Sequence, residues 1–303
     1  MSKSSMTTIS TRQAWLLASR PKTLPAAAAP VIAGCAVAFS EGGFRPGPAL
    51  AALAGALLLQ IGANIANDYF DYQKGADTQE RLGPLRVTQA GLLAPQQMVT
   101  GMLVVFGLAT LVGVYLAFTA GWPVVAIGAL SILAALAYTG GPYPLGYHGL
   151  GEVFVFVFFG LAAVVGTYFV QTLRVSPAAF LAAVPLGLLT VAILVVNNLR
   201  DIATDRDSGK HTLAVRFGER WARGEYALCV YGAYLAVLAA ALGGQIEPWS
   251  LLVAASLPLA VQRVRRVHRW EGRQLNLLLA QTGQLELVFA LLYGLGALIG
   301  YLV

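Results

Sequence analysis

Charge is scarce in this 303-residue chain. Asp, Glu, Lys and Arg together make up 11% of it, where a soluble globular protein carries about 25%. Hydrophobic residues make up 57%, and the mean hydropathy is +0.69. These values exclude disorder and an ordinary soluble enzyme. They are also too apolar for an outer-membrane barrel, whose strands alternate apolar and polar residues. Cysteine is nearly absent. Cys35 and Cys229 sit in apolar stretches without metal-ligand or disulfide spacing, as small buried hydrophobes do. A cleavable signal is lacking too. Polar, Ser/Thr-rich residues 1–12 read as a flexible N-terminus, and residues 15–30 have no short apolar core ending in a small-residue cleavage site. No stretch reads as a separate soluble domain, so residues 1–303 read as one transmembrane domain.

What remains is apolar sequence in long runs. Nine can be drawn, near 24–40, 48–66, 97–118, 122–138, 152–171, 177–196, 226–243, 249–262 and 282–302. Most reach the roughly 20 residues needed to span a bilayer as helix, and lipid leaves the backbone few alternatives. The fold class is therefore an all-α polytopic membrane protein with nine transmembrane helices. With nine spans, 18 of the 20 Lys and Arg residues fall on one side, and only Arg45 and Arg174 on the other. The positive-inside rule then places the N-terminus in the cytoplasm and the C-terminus outside, periplasmic or extracellular. The densest basic run, Arg263, Arg265, Arg266, Arg269 and Arg273, flanks a span and reads as an anchor on anionic membrane lipid, not as a nucleic-acid surface.

The acids follow the same split. Asp68, Asp71, Asp77, Glu80, Asp201, Asp205 and Asp207 fall in two cytoplasmic stretches. Asn64-Ile-Ala-Asn-Asp-Tyr-Phe-Asp71 closes the second span, and its positions 64, 68 and 71 share a helical face. Asn197-Asn-Leu-Arg-Asp-Ile-Ala-Thr-Asp205 closes the sixth, with 197, 201 and 205 on one face. Carboxylates gathered at a membrane surface are costly and mark function. Hard oxygen ligands with Lys and Arg nearby suit Mg²⁺ against a phosphorylated substrate; two clusters suit two ions and a diphosphate. Helix capping and loop solvation would explain one cluster as well, but two matched clusters less readily.

Four stretches carry a resemblance. They are Arg20-Pro-Lys-Thr-Leu-Pro25; residues 64–91, including Arg81-Leu-Gly-Pro-Leu-Arg86; Tyr138-Thr-Gly-Gly-Pro-Tyr-Pro-Leu-Gly146 running on to Gly149-Leu-Gly-Glu152; and residues 197–216. On these the chain resembles the UbiA superfamily of intramembrane aromatic prenyltransferases, and within it the bacterial 1,4-dihydroxy-2-naphthoate polyprenyltransferase branch. The resemblance implies nine helices around a central cavity in the bacterial inner (cytoplasmic) membrane. It implies transfer of a polyprenyl group from polyprenyl diphosphate to 1,4-dihydroxy-2-naphthoate in menaquinone biosynthesis. Diphosphate and CO2 would be released and demethylmenaquinol formed. It implies metal ligation by Asp68, Asp71, Asp77, Asp201 and Asp205, of which Asp68, Asp71, Asp201 and Asp205 would be the catalytic set. Tyr72 stands where the family often has a further Asp, so Asp71 and Asp77 are both open for that role. Lys22, Asn64, Asn67, Arg81, Arg86, Asn197, Arg200 and Lys210 would bind diphosphate. Tyr138, Tyr143, Tyr147 and Glu152 would meet the aromatic substrate or wall the cavity, with Phe154 and Phe158 as further candidates. His148 reads as a bystander more readily than as a proton acceptor. Two other readings stand beside this one. The same fold could take another acceptor such as 4-hydroxybenzoate, or the chain could be a secondary membrane transporter. The position of the acids at helix ends on one side disfavours the transporter.

Overall fold

In a bilayer interior the backbone satisfies itself only within helices or closed barrels. Each apolar run of this chain is helical in the computed structural model, which describes residues 9–76 and 82–303. Helix α1 (Thr11–Ser19) is capped by Ser10, whose side chain accepts from the Gln13 N–H while the Gln13 side chain accepts from the Ser10 N–H. This helix begins within the stretch read above as a flexible terminus. It ends at Arg20 in the left-handed conformation (φ +49°), rare for a non-glycine residue. The chain then turns by 50° into α2 (Pro25–Ser40). Helices α3 (Pro46–Gln73), α4 (Pro95–Ala120), α5 (Trp122–Thr139), α6 (Gly151–Thr172) and α7 (Pro177–Arg200) follow. Proline stands in the first turn of α2, α3, α4, α5 and α7, where its missing N–H costs nothing. Short helices α8 (Ile202–Asp207) and α9 (Leu213–Phe217) lead to α10 (Glu219–Leu242). A 3₁₀ segment, Pro248–Ser256, runs into α11 (Leu257–Val267), and α12 (Gln274–Leu302) follows.

Seven of these helices are long and apolar enough to cross a membrane: α3, α4, α5, α6, α7, α10 and α12. Counting α1 and α2, with the turn between them, as one bent span gives eight. The ninth apolar run, 249–262, is divided between Pro248–Ser256 and α11, which is only 11 residues long and carries Arg263, Arg265 and Arg266. Among the described residues the structure thus holds an all-α bundle with seven to eight long apolar spans.

Helix α7 is the axis of the bundle: 72% of its most apolar window is buried. It packs with α2, α6, α10 and α12 in the main core, through Leu186, Leu189, Val196, Tyr226, Leu285 and Phe289. Small residues bring α6 and α7 together. A Cβ built on Gly160 would lie 2.8 Å from the Gly187 Cα, the close approach on which membrane helices rely. A π-helical turn, Phe156–Ala162, falls at this crossing, as such turns often do at functional regions. A second core joins α1, α3 and α4 through Ala14, Ile65, Ala66 and Met98.

Candidate active site

Helices α2 to α7 line a cavity of about 950 Å³. Along α3 it reaches from Ala52 to Asp71, about 28 Å at 1.5 Å per residue, close to the thickness of the hydrocarbon core. Most of its wall is apolar and includes Val125, Ile132, Phe154, Phe158 and Phe159. Its polar end is built where α3 and α7 stop. Asn64, Asn67 and Asp71 line it from α3, Asn197, Asn198 and Asp201 from the end of α7 and Asp205 from α8, with Arg86, Tyr147 and Lys210 completing the rim. The two acidic stretches, far apart in sequence, therefore face each other across one cavity.

The cations are already engaged with the acids. Asp71 is buried and accepts from Arg86 Nη2 at 2.7 Å and from the Tyr147 hydroxyl at 2.9 Å. Lys210 Nζ lies 3.1 Å from Asp71 and 3.8 Å from Asp205, bridging the two motifs. The Tyr147 ring has two ammonium groups about it, Lys74 and Lys210, each 4.8 Å from the ring centroid, a cation–π arrangement. Desolvation pushes the Lys74 ammonium below the ordinary lysine value; Asp71 opposes this and Lys210 adds to it. Asp201 is held by the neighbouring Arg200, whose Nε donates at 2.8 Å. The same guanidinium reaches Asn197 Oδ1 at 2.7 Å and Asn276 Oδ1 at 2.8 Å.

The asparagines show a shared logic. Asn67 Oδ1 accepts from the Thr139 hydroxyl, and Asn197 Oδ1 accepts from Arg200. In both, the carbonyl end is used by the protein and the amide nitrogen is left as a donor, suited to an anion. Asn64 has the opposite arrangement. Its nitrogen donates to Ser19 O and Thr23 Oγ1, both at 3.0 Å, and ties α3 to the turn before α2.

Not every residue singled out by the sequence lies in this wall. Asp68 turns away from the cavity. It accepts from the Val87 N–H (3.1 Å), the Thr88 N–H (3.2 Å) and the Thr88 hydroxyl (2.6 Å), so it holds the turn after Arg86. Lys22 is exposed on the 3₁₀ turn Pro21–Thr23. Arg200 is buried behind Asp201. Tyr143 is 59% exposed and stacks on His148 with ring centroids 3.6 Å apart. Glu152 is buried behind Asn198, while Tyr138 lines the cavity. Asp77 and Arg81 lie outside the described residues. Arg20, Thr23 and Asn198 line the cavity without having been singled out. Asn198 stood beside Asn197 in the motif, but the one-face pattern with 201 and 205 excludes it.

The donor set fits Mg²⁺ in one way and not another. Among the described residues no three acidic, His or Cys side chains converge tightly enough to form an all-protein metal cage. Mg²⁺ is more often held by one or two carboxylates together with substrate phosphates and water. Asp71, Asp201 and Asp205, all buried oxygen donors on the cavity wall, match that mode; Asp68, which is bonded to the 87–88 turn and does not line the cavity, does not.

The sequence profile described as the UbiA prenyltransferase family matches residues 27–285. The 1,4-dihydroxy-2-naphthoate octaprenyltransferase of Escherichia coli (strain K12) is 43% identical over 267 residues, covering 86% of this chain and 87% of the relative. That of Mycobacterium tuberculosis is 41% identical over 280 residues, covering 91% and 94%. Among solved structures, a UbiA homolog from Archaeoglobus fulgidus bound to GPP and Mg2+ superposes with a TM-score of 0.67 at 13% identity, covering 94% of this chain and 99% of that one. At that identity the likeness is one of fold.

Proposed function

The chain belongs to the UbiA prenyltransferase family, and from that premise we propose that it transfers a polyprenyl group from polyprenyl diphosphate to 1,4-dihydroxy-2-naphthoate. The products are demethylmenaquinol, diphosphate and CO2. The observation that carries this reading is the single cavity, apolar along its length and lined at one end by Asp71, Asp201, Asp205, Arg86 and Lys210. A long prenyl chain and a diphosphate head need these two environments joined. Identity of 38–43% to four curated naphthoate octaprenyltransferases, each matched over most of its length, supports the acceptor.

Asp71, Asp201 and Asp205 would hold Mg²⁺ against the diphosphate; one or two ions suit the two motifs. When bound, the metal supplies neutralisation of the charge that grows on the leaving diphosphate. The amide nitrogens of Asn67 and Asn197 donate to phosphate oxygens from the two motif helices. Lys210 and Arg86 stand where the departing diphosphate gathers its charge, and preorganised cations in a dry site are worth far more than in water. The C–O bond of the prenyl diphosphate breaks with its electron pair going to diphosphate. The apolar wall keeps water from the allylic cation, and the rings of Tyr138, Phe154 and Phe158 face it with π density. The electron-rich acceptor ring forms the new C–C bond. Loss of the carboxylate as CO2 leaves its bonding electron pair in the ring and restores aromaticity, with no net release of a proton.

In this reading the protein is a multi-pass protein of the bacterial inner membrane, with nine spans, the N-terminus cytoplasmic and the site opening on the cytoplasmic side. The 249–262 run completes the ninth crossing in two helical pieces. The test is transfer by the purified protein in detergent with both 1,4-dihydroxy-2-naphthoate and 4-hydroxybenzoate. Product is expected from the naphthoate alone, lost on chelation and restored by Mg²⁺. Product from 4-hydroxybenzoate alone would overturn the acceptor, and prenyl-independent transport without product would overturn the enzyme.

A further inference from the structure

Glu152 is a carboxyl group buried to 7% exposure at the start of a membrane helix. Such burial is costly, and core packing alone would favour an apolar residue. Its Oε1 accepts from Asn198 Nδ2 at 2.9 Å, and its Oε2 is buried with no hydrogen-bond partner among the described residues. Asn198 lines the cavity; Glu152 does not. The contact has a direction. A carboxylate only accepts, so the amide nitrogen must turn toward Glu152, and Oδ1 is the atom Asn198 can offer to a ligand. The Tyr138 hydroxyl lies beside Gly151, the neighbour of Glu152 in sequence: a Cβ on Gly151 would meet it at 2.8 Å and Leu194 Cδ2 at 3.2 Å. Tyr138 and Asn198 thus form a polar spot beside the apolar Leu194 and Phe154, and a ring bearing hydroxyl groups requires that combination.

We infer that Glu152 is a positioning residue, holding the Asn198 amide so that Oδ1 accepts a hydrogen bond from a phenolic hydroxyl of the aromatic acceptor. This rests on the prenyl-transfer reading above. It assigns acceptor recognition to the Asn198 side of the cavity, apart from the diphosphate-binding groups.

The test is a steady-state comparison of wild type, Glu152→Leu, Glu152→Gln, Asn198→Leu and the Glu152→Leu/Asn198→Leu double variant, with KM measured for each substrate. One hydrogen bond to substrate corresponds to about a tenfold effect. Glu152→Leu and Asn198→Leu are each expected to raise the naphthoate KM about tenfold and to leave the prenyl diphosphate KM unchanged. The double variant is expected to match Asn198→Leu. Glu152→Gln keeps a carbonyl acceptor for the amide and is expected to stay within about twofold of wild type. Should Glu152→Leu fail to fold, Asn198→Leu and Glu152→Gln decide the matter. An unchanged naphthoate KM in Asn198→Leu, a tenfold rise in Glu152→Gln, or an equal rise in both KM values would overturn the inference while wild-type turnover stands. A wild type that never prenylates the naphthoate would defeat the underlying reading itself.

Discussion

Asp68 and Asp71 stand three residues apart on one helix and do different things. Asp71 accepts from Arg86 and Tyr147, beside Lys210, on the cavity wall. Asp68 accepts three bonds from residues 87–88. Asp68→Asn would keep one acceptor oxygen and put an amide nitrogen, a donor, in place of the other, opposite either the Val87 N–H or the Thr88 N–H and hydroxyl. Hydrogen bonds to a charged group contribute about 1.5–3 kcal/mol each, so a clear fall in the thermal midpoint is expected. The Mg²⁺ concentration for half-maximal activity should be unchanged in what remains. Asp205→Asn is expected to do the reverse: a midpoint near wild type and a turnover loss of at least about 100-fold, the scale of losing one preorganised electrostatic group. Melting curves and Mg²⁺ titrations of both variants check this. The spacing of 64, 68 and 71 was legible in the sequence. The choice between them was not, because Asp68 is claimed by backbone groups 19 and 20 residues further on, and no periodicity encodes that contact. The stripe that does face the cavity is Gln60, Asn64, Asn67 and Asp71, one residue out of register with Asp68.

At the scale of elements, the second motif was easier to read because α7 is surrounded. Its burial fixes which side is free to face the cavity, and 197, 201 and 205 remain on that side although the helix breaks at Asp201 and restarts as α8. That placement depends on how closely α7 approaches α6. Gly160→Val would force side-chain atoms against the Gly187 backbone, and overpacking of this kind costs about 1–3 kcal/mol. A lower midpoint and reduced turnover are expected together. Gly107, also in a long helix, has open space beside it, and Gly107→Ala is expected to keep or slightly raise the midpoint. Equal behaviour of the two variants in a thermal-shift assay would contradict a packed α6–α7 crossing. The nine apolar runs were visible as composition. The division of the 249–262 run was not, since hydropathy averages over a change of helix type at Leu257.

For the whole molecule, scarcity of charge serves both topology and chemistry. In the proposed nine-span topology the basic residues crowd one side, and the two acidic helix ends, which line one cavity, lie there too. Cysteine labelling with a membrane-impermeant reagent checks the orientation. Single cysteines placed beside Arg206 are expected to react only from the cytoplasmic face, and those beside Arg45 or Arg174 only from the outside; the converse would invert the topology. The central claim is that one cavity joins prenyl ionisation to attack by a carboxylated naphthoate ring. Its most direct test is a single-turnover reaction with carboxyl-labelled 1,4-dihydroxy-2-naphthoate and polyprenyl diphosphate, counting labelled CO2 against diphosphate. One CO2 is expected for each diphosphate released, with both lost in Asp205→Asn. A prenylated product that retained the label, or diphosphate release without CO2, would contradict it.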